Sequence, residues 1–309
     1  MITNSIQHIV ETLKKGDIVG IPTETVYGLG ANGLDEKAVQ KIFRVKGRPN
    51  KNPLILHTHS IKELKKLVKK IPPIAKKIAD YYWPGPLTIL FDKSELVSEL
   101  ITAGSKKVAI RIPSHPLFLE ILKSVDFPIA APSANPYQRI SPTTAQQVYE
   151  YFQDKVPYVL EGGKCECGLE STIVGIENNK VIIYRLGGIT MESLKKVHPY
   201  VELAPKDNTK VVTSGMDLKH YAPTTKLIIV DNINLYKKNH PELNIGVLTF
   251  EHHNNRFIAK EFYYQLYQLD QQKFDVIICK KFKNMGIGKA LNDKLQRASY
   301  SDDQSLPRN

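Results

Sequence analysis

Three groups of residues in this 309-residue chain have the types and spacing to act on an anion. The first is Lys46-Gly47-Arg48-Pro49-Asn50-Lys51, closed by Pro53. A rigid loop can converge ammonium and guanidinium groups on phosphate oxygens. The same cations at a helix end would instead face the helix dipole, and the residues alone leave both readings open. The second is Pro132-Ser133-Ala134-Asn135-Pro136, which follows an apolar run at 129–131. Short polar side chains at a strand end suit a ligand-binding rim, and they also suit a plain turn. The third is Arg111. Alternation along 108–112 puts Val108, Ile110 and Ile112 on one face, with Ala109 and Arg111 on the other. An arginine at the end of a core strand needs an anionic partner. A substrate carboxylate or phosphate would serve, and so would a structural Asp or Glu.

Several other chemistries fail on their own patterns. Gly28-Leu29-Gly30-Ala31-Asn32-Gly33 satisfies G-x-G-x-x-G, but no Asp or Glu lies between Glu36 and Glu63 to hold a ribose, so a nicotinamide or flavin site is disfavoured. Gly286-Ile287-Gly288-Lys289-Ala290 has Lys283 and Ala290 where a P-loop needs Gly and Ser or Thr. No G-x-S-x-G elbow and no H-E-x-x-H pattern occur. His252-His253 reads as solvated loop, and Asp35-Glu36 as the start of a helix. Cys165 and Cys167 form C-x-C without a second metal-ligating pair, and with Cys279 they cannot make a disulfide framework. Small residues in a Gly-rich loop and a reducing cytosol are expected.

The composition permits a scaffold able to bring these segments together. Hydrophobic residues are 42% and charged residues 24%, an ordinary globular balance with length for about two domains. That excludes a collagen-like or largely disordered chain. No uncharged apolar run approaches the roughly 18 residues of a membrane span, and residues 1–10 show no secretory pattern, so a cytoplasmic protein without a membrane partner is expected. The net charge of +12 favours polyanionic company such as nucleotides, RNA or acidic lipid. Residues 61–71 predict a helix with Ile61, Leu64, Leu67, Val68 and Ile71 inward. Its lysines 62, 65, 66, 69 and 70 read as a solvated face in preference to an RNA groove.

Strands are predicted at 18–21, 54–57, 87–91, 108–112, 128–131, 172–176 and 181–185. Asp35 caps a predicted helix running to Lys46, with Ala38, Val39, Ile42 and Phe43 inward and Gly47 as its stop. Another helix is predicted at 143–152. The pattern lapses into polar and turn residues around 205–225, which predicts a linker. Strands at 227–230, 245–250 and 276–279 and a helix at 289–300 then predict a small α/β domain. The expected division is 1–206, a linker at 207–225, and 226–309.

Taken together, these segments resemble the threonylcarbamoyl-AMP synthase family in its longer form. The resemblance runs through Ile21-Pro22-Thr23-Glu24-Thr25-Val26-Tyr27-Gly28-Leu29-Gly30, Lys46-Gly47-Arg48-Pro49 and Asn52-Pro53-Leu54. It continues in Trp83-Pro84-Gly85-Pro86-Leu87-Thr88, Arg111-Ile112-Pro113, Pro132-Ser133-Ala134-Asn135 and Ser141-Pro142-Thr143. Further on it takes in Gly168-Leu169-Glu170-Ser171-Thr172-Ile173 and Arg185-Leu186-Gly187-Gly188, then His220-Tyr221-Ala222-Pro223 and residues 288–295. Three places depart from the family's usual pattern. The linker reads Thr213-Ser214-Gly215-Met216-Asp217-Leu218, residues 137–140 are bulky, and Leu186 stands where proline is common.

The resemblance implies a YrdC-like open twisted mixed sheet around a basic cavity, plus a small C-terminal Rossmann-like three-layer α/β domain. It implies a nucleotidyltransferase making L-threonylcarbamoyladenylate and pyrophosphate from L-threonine, bicarbonate or CO2, and ATP. A tRNA threonylcarbamoyl transferase complex would use the product for N6-threonylcarbamoyladenosine, and tRNA itself is a further possible partner. By residue matching, Lys46, Arg48, Ser133 and Asn135 would serve the reacting phosphate. Thr25, His57, Arg111, the backbone at Ala131, and Ser171 would hold threonine. Arg48, Asn52, Lys107, Ser133, Ser141, Arg185 and Tyr221 would hold ATP. Mg2+ would travel with the triphosphate and need no dedicated protein ligands. The linker would close over the cavity, with Tyr221 capping the nucleotide. The competing reading is a non-catalytic RNA-binding protein of the same fold. A carbamoyltransferase with acylphosphatase-like and zinc modules is excluded by length and cysteine count.

Overall fold

An eleven-stranded mixed sheet is the spine of the molecule in a computed structural model that describes residues 1–205, 219–250 and 254–300. Its strands in chain order are β1 (Ile2–Thr3), β2 (Val19–Ile21), β3 (Gly28–Asn32), β4 (Ile55–His57), β5 (Leu87–Asp92), β6 (Lys107–Arg111), β7 (Ile129–Ala130), β8 (Tyr158–Leu160), β9 (Thr172–Glu177), β10 (Lys180–Arg185) and β11 (Val201–Leu203). They lie in the order β1-β8-β2-β3-β7-β4-β6-β5-β9-β10-β11. At the centre β4 and β6 run parallel, with His57 opposite Arg111, and β7 and β5 flank them antiparallel.

Side chains on a strand alternate faces, and this register sorts them into two sets. Leu56, Ile110, Ile89 and Ala130 face the main core under the helices. Ile55, His57, Ala109 and Arg111 face the opposite side. The expected division of residues 108–112 between two faces therefore holds, and it sets the arginine on the side away from the main core.

A second sheet follows: β12 (Lys226–Ile229), β13 (Ile245–Leu248) and β14 (Val276–Cys279), in the order β12-β14-β13 and all parallel. Parallel strands bury both faces, and here both are covered. Ile277 and Cys279 pack with Phe262, Leu266, Leu291 and Leu295 of the helices Asn255–Gln271 and Gly288–Ala298. Val276 and Ile278 pack with Ile233 and Tyr236 of the helix Ile233–Asn239. The cluster on the first side also contains Val26, Ile140 and Leu169, which belong to loops of the large sheet. The two sheets are thus joined by a shared core.

The α/β expectation stands. As the missing acidic residue indicates, Gly28, Gly30 and Gly33 open no phosphate loop: Gly28 and Gly30 lie in β3 and Gly33 directly follows it. A Cβ on Gly30 would come 2.4 Å from Ile21 Cδ1, and one on Gly33 2.9 Å from the Pro128 carbonyl oxygen. The glycines admit neighbouring strands. The helix predicted at 61–71 ends at Leu67, because Val68 turns extended and bridges to Lys93. The strand-by-strand reading passed over Asn255–Gln271, although its buried residues Ile258, Phe262, Leu266 and Asp270 repeat at helical spacing. Of the expected linker, residues 206–218 lie outside the described residues. Its end is tied down, since Asp270 accepts the backbone N–H groups of Thr224 (2.9 Å) and Thr225 (2.8 Å).

Gly187 gives a test of how tightly the sheet end is built. A Cβ there would stand 2.2 Å from the Glu170 carbonyl oxygen and 2.6 Å from Thr172 N, both backbone atoms. Gly187→Ala is expected to cost about 3 kcal/mol, read as a fall in the urea midpoint at unchanged m-value.

Candidate active site

The far face of the central strands opens into a cleft of about 470 Å³. The five residues expected to hold threonine all line it: Thr25, His57, Arg111, Ala131 and Ser171. So do Ser133, Arg185 and Tyr221 from the nucleotide set. Strand ends supply His57, Arg111 and Arg185, and an antiparallel bridge between Gly28 and Ser133 brings the 132–136 loop to the same rim.

Arg111 is buried, and its anionic partner in the structure is Glu24 at 2.7 Å. Its Nε donates to the Gly85 carbonyl (3.2 Å) and its Nη1 to Thr25 Oγ1 (2.9 Å). The Thr23 hydroxyl donates to the Val26 carbonyl (2.7 Å), so the Thr25 hydroxyl must donate to Thr23 Oγ1 (2.7 Å). These bonds orient the guanidinium through its Nε and Nη1. His57 Nδ1 lies 3.3 Å from the Ile129 carbonyl, which only accepts, so Nδ1 carries the proton and Nε2 is an acceptor. Burial, and then the charge on Arg111, push the His57 pKa down to about 3, and the ring is neutral near pH 7.

The Lys-x-Arg segment forms as the sequence predicts. Asp35 caps the helix Glu36–Lys46, and Gly47 ends it in the left-handed conformation at φ +62°. That reversal drives Lys46 inward. Its ammonium donates to the carbonyls of Ser133 (2.6 Å) and Asn135, and burial, then neighbouring Arg48, lower its pKa well below the ordinary lysine value. Lys46 therefore clamps the backbone of the Ser-x-Asn loop. Arg48 donates to the Pro53 carbonyl (3.1 Å), and Asn135 Nδ2 to the carbonyls of Pro136 (2.8 Å) and Arg139 (2.9 Å). These three side chains are buried beside the cleft, and Ser133 is the member of the signature that lines it.

On the opposite wall, Arg185 donates through Nε to the Ser171 carbonyl and through Nη2 to Ser171 Oγ, both at 3.0 Å. Thr88 Oγ1 lies 2.7 Å from the same hydroxyl. Glu170 also lines the cleft, and its two oxygens take the hydroxyls of Ser141 (2.6 Å) and Tyr263 (3.0 Å).

The sequence and fold are similar to those of known proteins. A family model described as telomere recombination, covering the Sua5, YciO and YrdC proteins, matches residues 11–187. The model of the threonylcarbamoyl-AMP synthase C-terminal domain matches residues 189–299. The chain belongs to the Sua5–YrdC family. Among curated relatives, the threonylcarbamoyl-AMP synthase of Pyrococcus abyssi is 36% identical, over 93% of this chain and 92% of that protein. That of Bacillus subtilis is 35% identical, over 93% and 90%. The crystal structure of P. abyssi Sua5 complexed with L-threonine superposes with a TM-score of 0.91 at 34% identity, over 97% of each chain.

Within this Sua5–YrdC chain the remaining expected residues divide. His220 and Tyr221 close one side of the cleft. Tyr221 is fully buried at φ +63°, its ring 5.5 Å from that of Tyr263 and 5.1 Å from Lys294 Nζ. Its hydroxyl has no hydrogen-bond partner among the described residues. Asn52 is buried behind the rim and donates to the Tyr137 hydroxyl (3.1 Å). Lys107 is not brought to the cleft. It starts β6, four residues and about 13 Å from Arg111, and pairs at the surface with Asp92 (2.9 Å). Glu24 and Glu170 sit inside quoted motifs but were given no role. Thr88, Tyr263 and Lys294 also went unassigned, because their partners are distant in sequence.

The neutral His57 makes stability depend on pH. Its folded pKa lies below that of the unfolded chain, near 6.5, so the unfolded state binds the proton first as pH falls. The contribution is complete above about pH 6.5 and is lost progressively toward pH 3. His57→Gln is therefore expected to be less acid-sensitive than the unsubstituted chain, with the difference in urea-unfolding free energy shrinking by about 2 kcal/mol or more between pH 7.5 and 4.5.

Proposed function

We propose that this protein is a threonylcarbamoyl-AMP synthase, joining L-threonine, CO2 or bicarbonate, and ATP into L-threonylcarbamoyladenylate with release of pyrophosphate. The observation that supports this most is convergence. The five residues matched to threonine and three of those matched to the nucleotide, Ser133, Arg185 and Tyr221, come from seven separate segments and meet in one cation-lined cleft.

The reaction asks for few protein protons. The threonine amine adds to CO2 and loses a proton, giving a carbamate. A carbamate oxygen then attacks the α-phosphorus, and the bond to the bridging oxygen of pyrophosphate breaks. Negative charge grows on phosphate oxygens, so fixed cations and donors supply the main stabilisation. Arg48, Arg185 and the Ser133–Asn135 loop clamped by Lys46 would supply them. Arg111 addresses the threonine carboxylate. It stays oriented by Glu24 and Thr25 when threonine is absent, which avoids a reorganisation cost on binding. The His57 Nε2 acceptor suits the hydroxyl or ammonium of the amino acid. No covalent intermediate on the protein is needed.

Mg2+ enters as part of the substrate MgATP, an ion that keeps waters and takes phosphate oxygens. Glu24 is ion-paired with Arg111, and Glu170 accepts from Ser141 and Tyr263; the ion would be carried by the triphosphate. The product's place is before a step that transfers the threonylcarbamoyl group to tRNA. No helix among the described residues is long and apolar enough to cross a membrane.

Pyrophosphate release from MgATP and bicarbonate should depend on L-threonine and fall about a hundredfold in Arg48→Ala with the fold intact. A folded, ATP-binding protein without threonine-dependent release would reject this reading in favour of an RNA-binding role.

A further inference from the structure

The cleft contains one carboxylate whose orientation is set by the C-terminal α/β unit. Glu170 lies in the loop before β9, is buried, and lines the cleft beside Ser171. A carboxylate only accepts hydrogen bonds. Both of its donors are protein hydroxyls held from opposite directions. Ser141 Oγ reaches Oε1 (2.6 Å) from the segment before the helix Ala145–Phe152. Tyr263 Oη reaches Oε2 (3.0 Å) from the helix Asn255–Gln271, 93 residues away in sequence. The backbone there is equally fixed: Gly188 N donates to the Glu170 carbonyl (3.1 Å), and Gly168 packs against that same helix, where a Cβ would stand 2.3 Å from the Ala259 carbonyl oxygen.

The same face of the C-terminal unit holds the next residues along the wall. Lys294, fully buried, donates to the Leu186 carbonyl (2.9 Å), in the turn directly after Arg185, and stands over the Tyr221 ring. The groups set by this face are therefore Ser141, Glu170, Arg185 and Tyr221. Three of the four belong to the nucleotide set. On the threonine side, Thr25, His57, Arg111 and Ala131 are built by strands and loops of the large sheet, and Ser171 joins the two sides through Arg185 and Thr88.

We infer that Tyr263 is a positioning residue for the nucleotide half of the cleft, acting through Glu170, so that the C-terminal unit sets affinity for ATP and leaves affinity for threonine to the large sheet. This rests on the synthase reading for the identity of the nucleotide. Without the Tyr263 hydroxyl, one oxygen of a buried carboxylate loses its donor. The carboxylate then turns toward another donor, and the groups packed around it depart from their positions.

The helix carries its own control. Tyr267, one turn on, also sends its hydroxyl across to the large-sheet unit, but to Glu150 (2.5 Å), outside the cleft lining. Tyr263→Phe and Tyr267→Phe each delete one hydroxyl that joins the two units and keep the ring packing. A merely structural role would move both alike.

ATP affinity of the full-length chain is measured by calorimetry, and turnover by pyrophosphate release, after matched thermal unfolding. Tyr263→Phe is expected to weaken ATP binding about tenfold, with kcat and the KM for threonine changed less than twofold. Tyr267→Phe should leave ATP binding within twofold of the unsubstituted chain. Unchanged ATP affinity in Tyr263→Phe, or equal loss in both variants, overturns the inference while threonine-dependent turnover upholds the synthase reading. An unsubstituted chain that binds ATP without threonine-dependent turnover rejects the synthase reading, and the ATP affinities alone then decide this one. A chain that binds no ATP overturns both.

Discussion

Burying positive charge is the constraint on which the rest of the architecture depends. A cleft that attracts a carboxylate and a triphosphate needs cations out of bulk water, and an uncompensated buried cation destabilises the fold by several kcal/mol. Among the described residues this is met by two ion pairs, Arg111–Glu24 and Lys294–Asp293 (3.1 Å), and a set of carbonyls. Arg111 has Glu24 at 2.7 Å. Lys46 has two carbonyls of the loop it supports, Arg48 the Pro53 carbonyl, Arg185 the Ser171 carbonyl, and Lys294 the Leu186 carbonyl. A carbonyl satisfies the donor without cancelling the charge, so the field toward the cleft persists. The carboxylate at Arg111 does cancel charge, and it sits where the proposed threonine carboxylate would bind.

This arrangement constrains the backbone closely. The acceptors are main-chain groups, so the loops that carry them must be rigid. Gly47 in the left-handed region, the proline-bounded Ser-x-Asn loop, and Gly187 packed on the 170–172 backbone each fix one such loop. The large sheet supplies the register, and the loops supply the charges.

How much of this was legible in the sequence follows from distance along the chain. The face of Arg111, the cap at Asp35 and the stop at Gly47 are local consequences of alternation and capping, and all appear as read. That Arg111 has a protein carboxylate could be posed but not answered, because Glu24 lies 87 residues upstream and only the fold pairs them. Tyr263 and Lys294 were invisible for the same reason. Lys107 shows the opposite failure: a motif match carried it to the nucleotide, and strand geometry puts it at the wrong end of β6. The glycine triplet at 28–33 matches a phosphate-binding pattern that the missing acidic residue already disfavours, and its actual cause, strand-to-strand contact, appears only in the fold.

The shared apolar cluster has an evolutionary corollary. Val26, Ile140 and Leu169 are covered by Phe262, Tyr263 and Leu266, so the large sheet does not own a complete surface of its own. A descendant that shed the C-terminal unit would expose a sticky patch adjoining its active cleft. Such a loss would also remove the Tyr263 hydroxyl from Glu170, leaving one oxygen of a buried carboxylate without its donor.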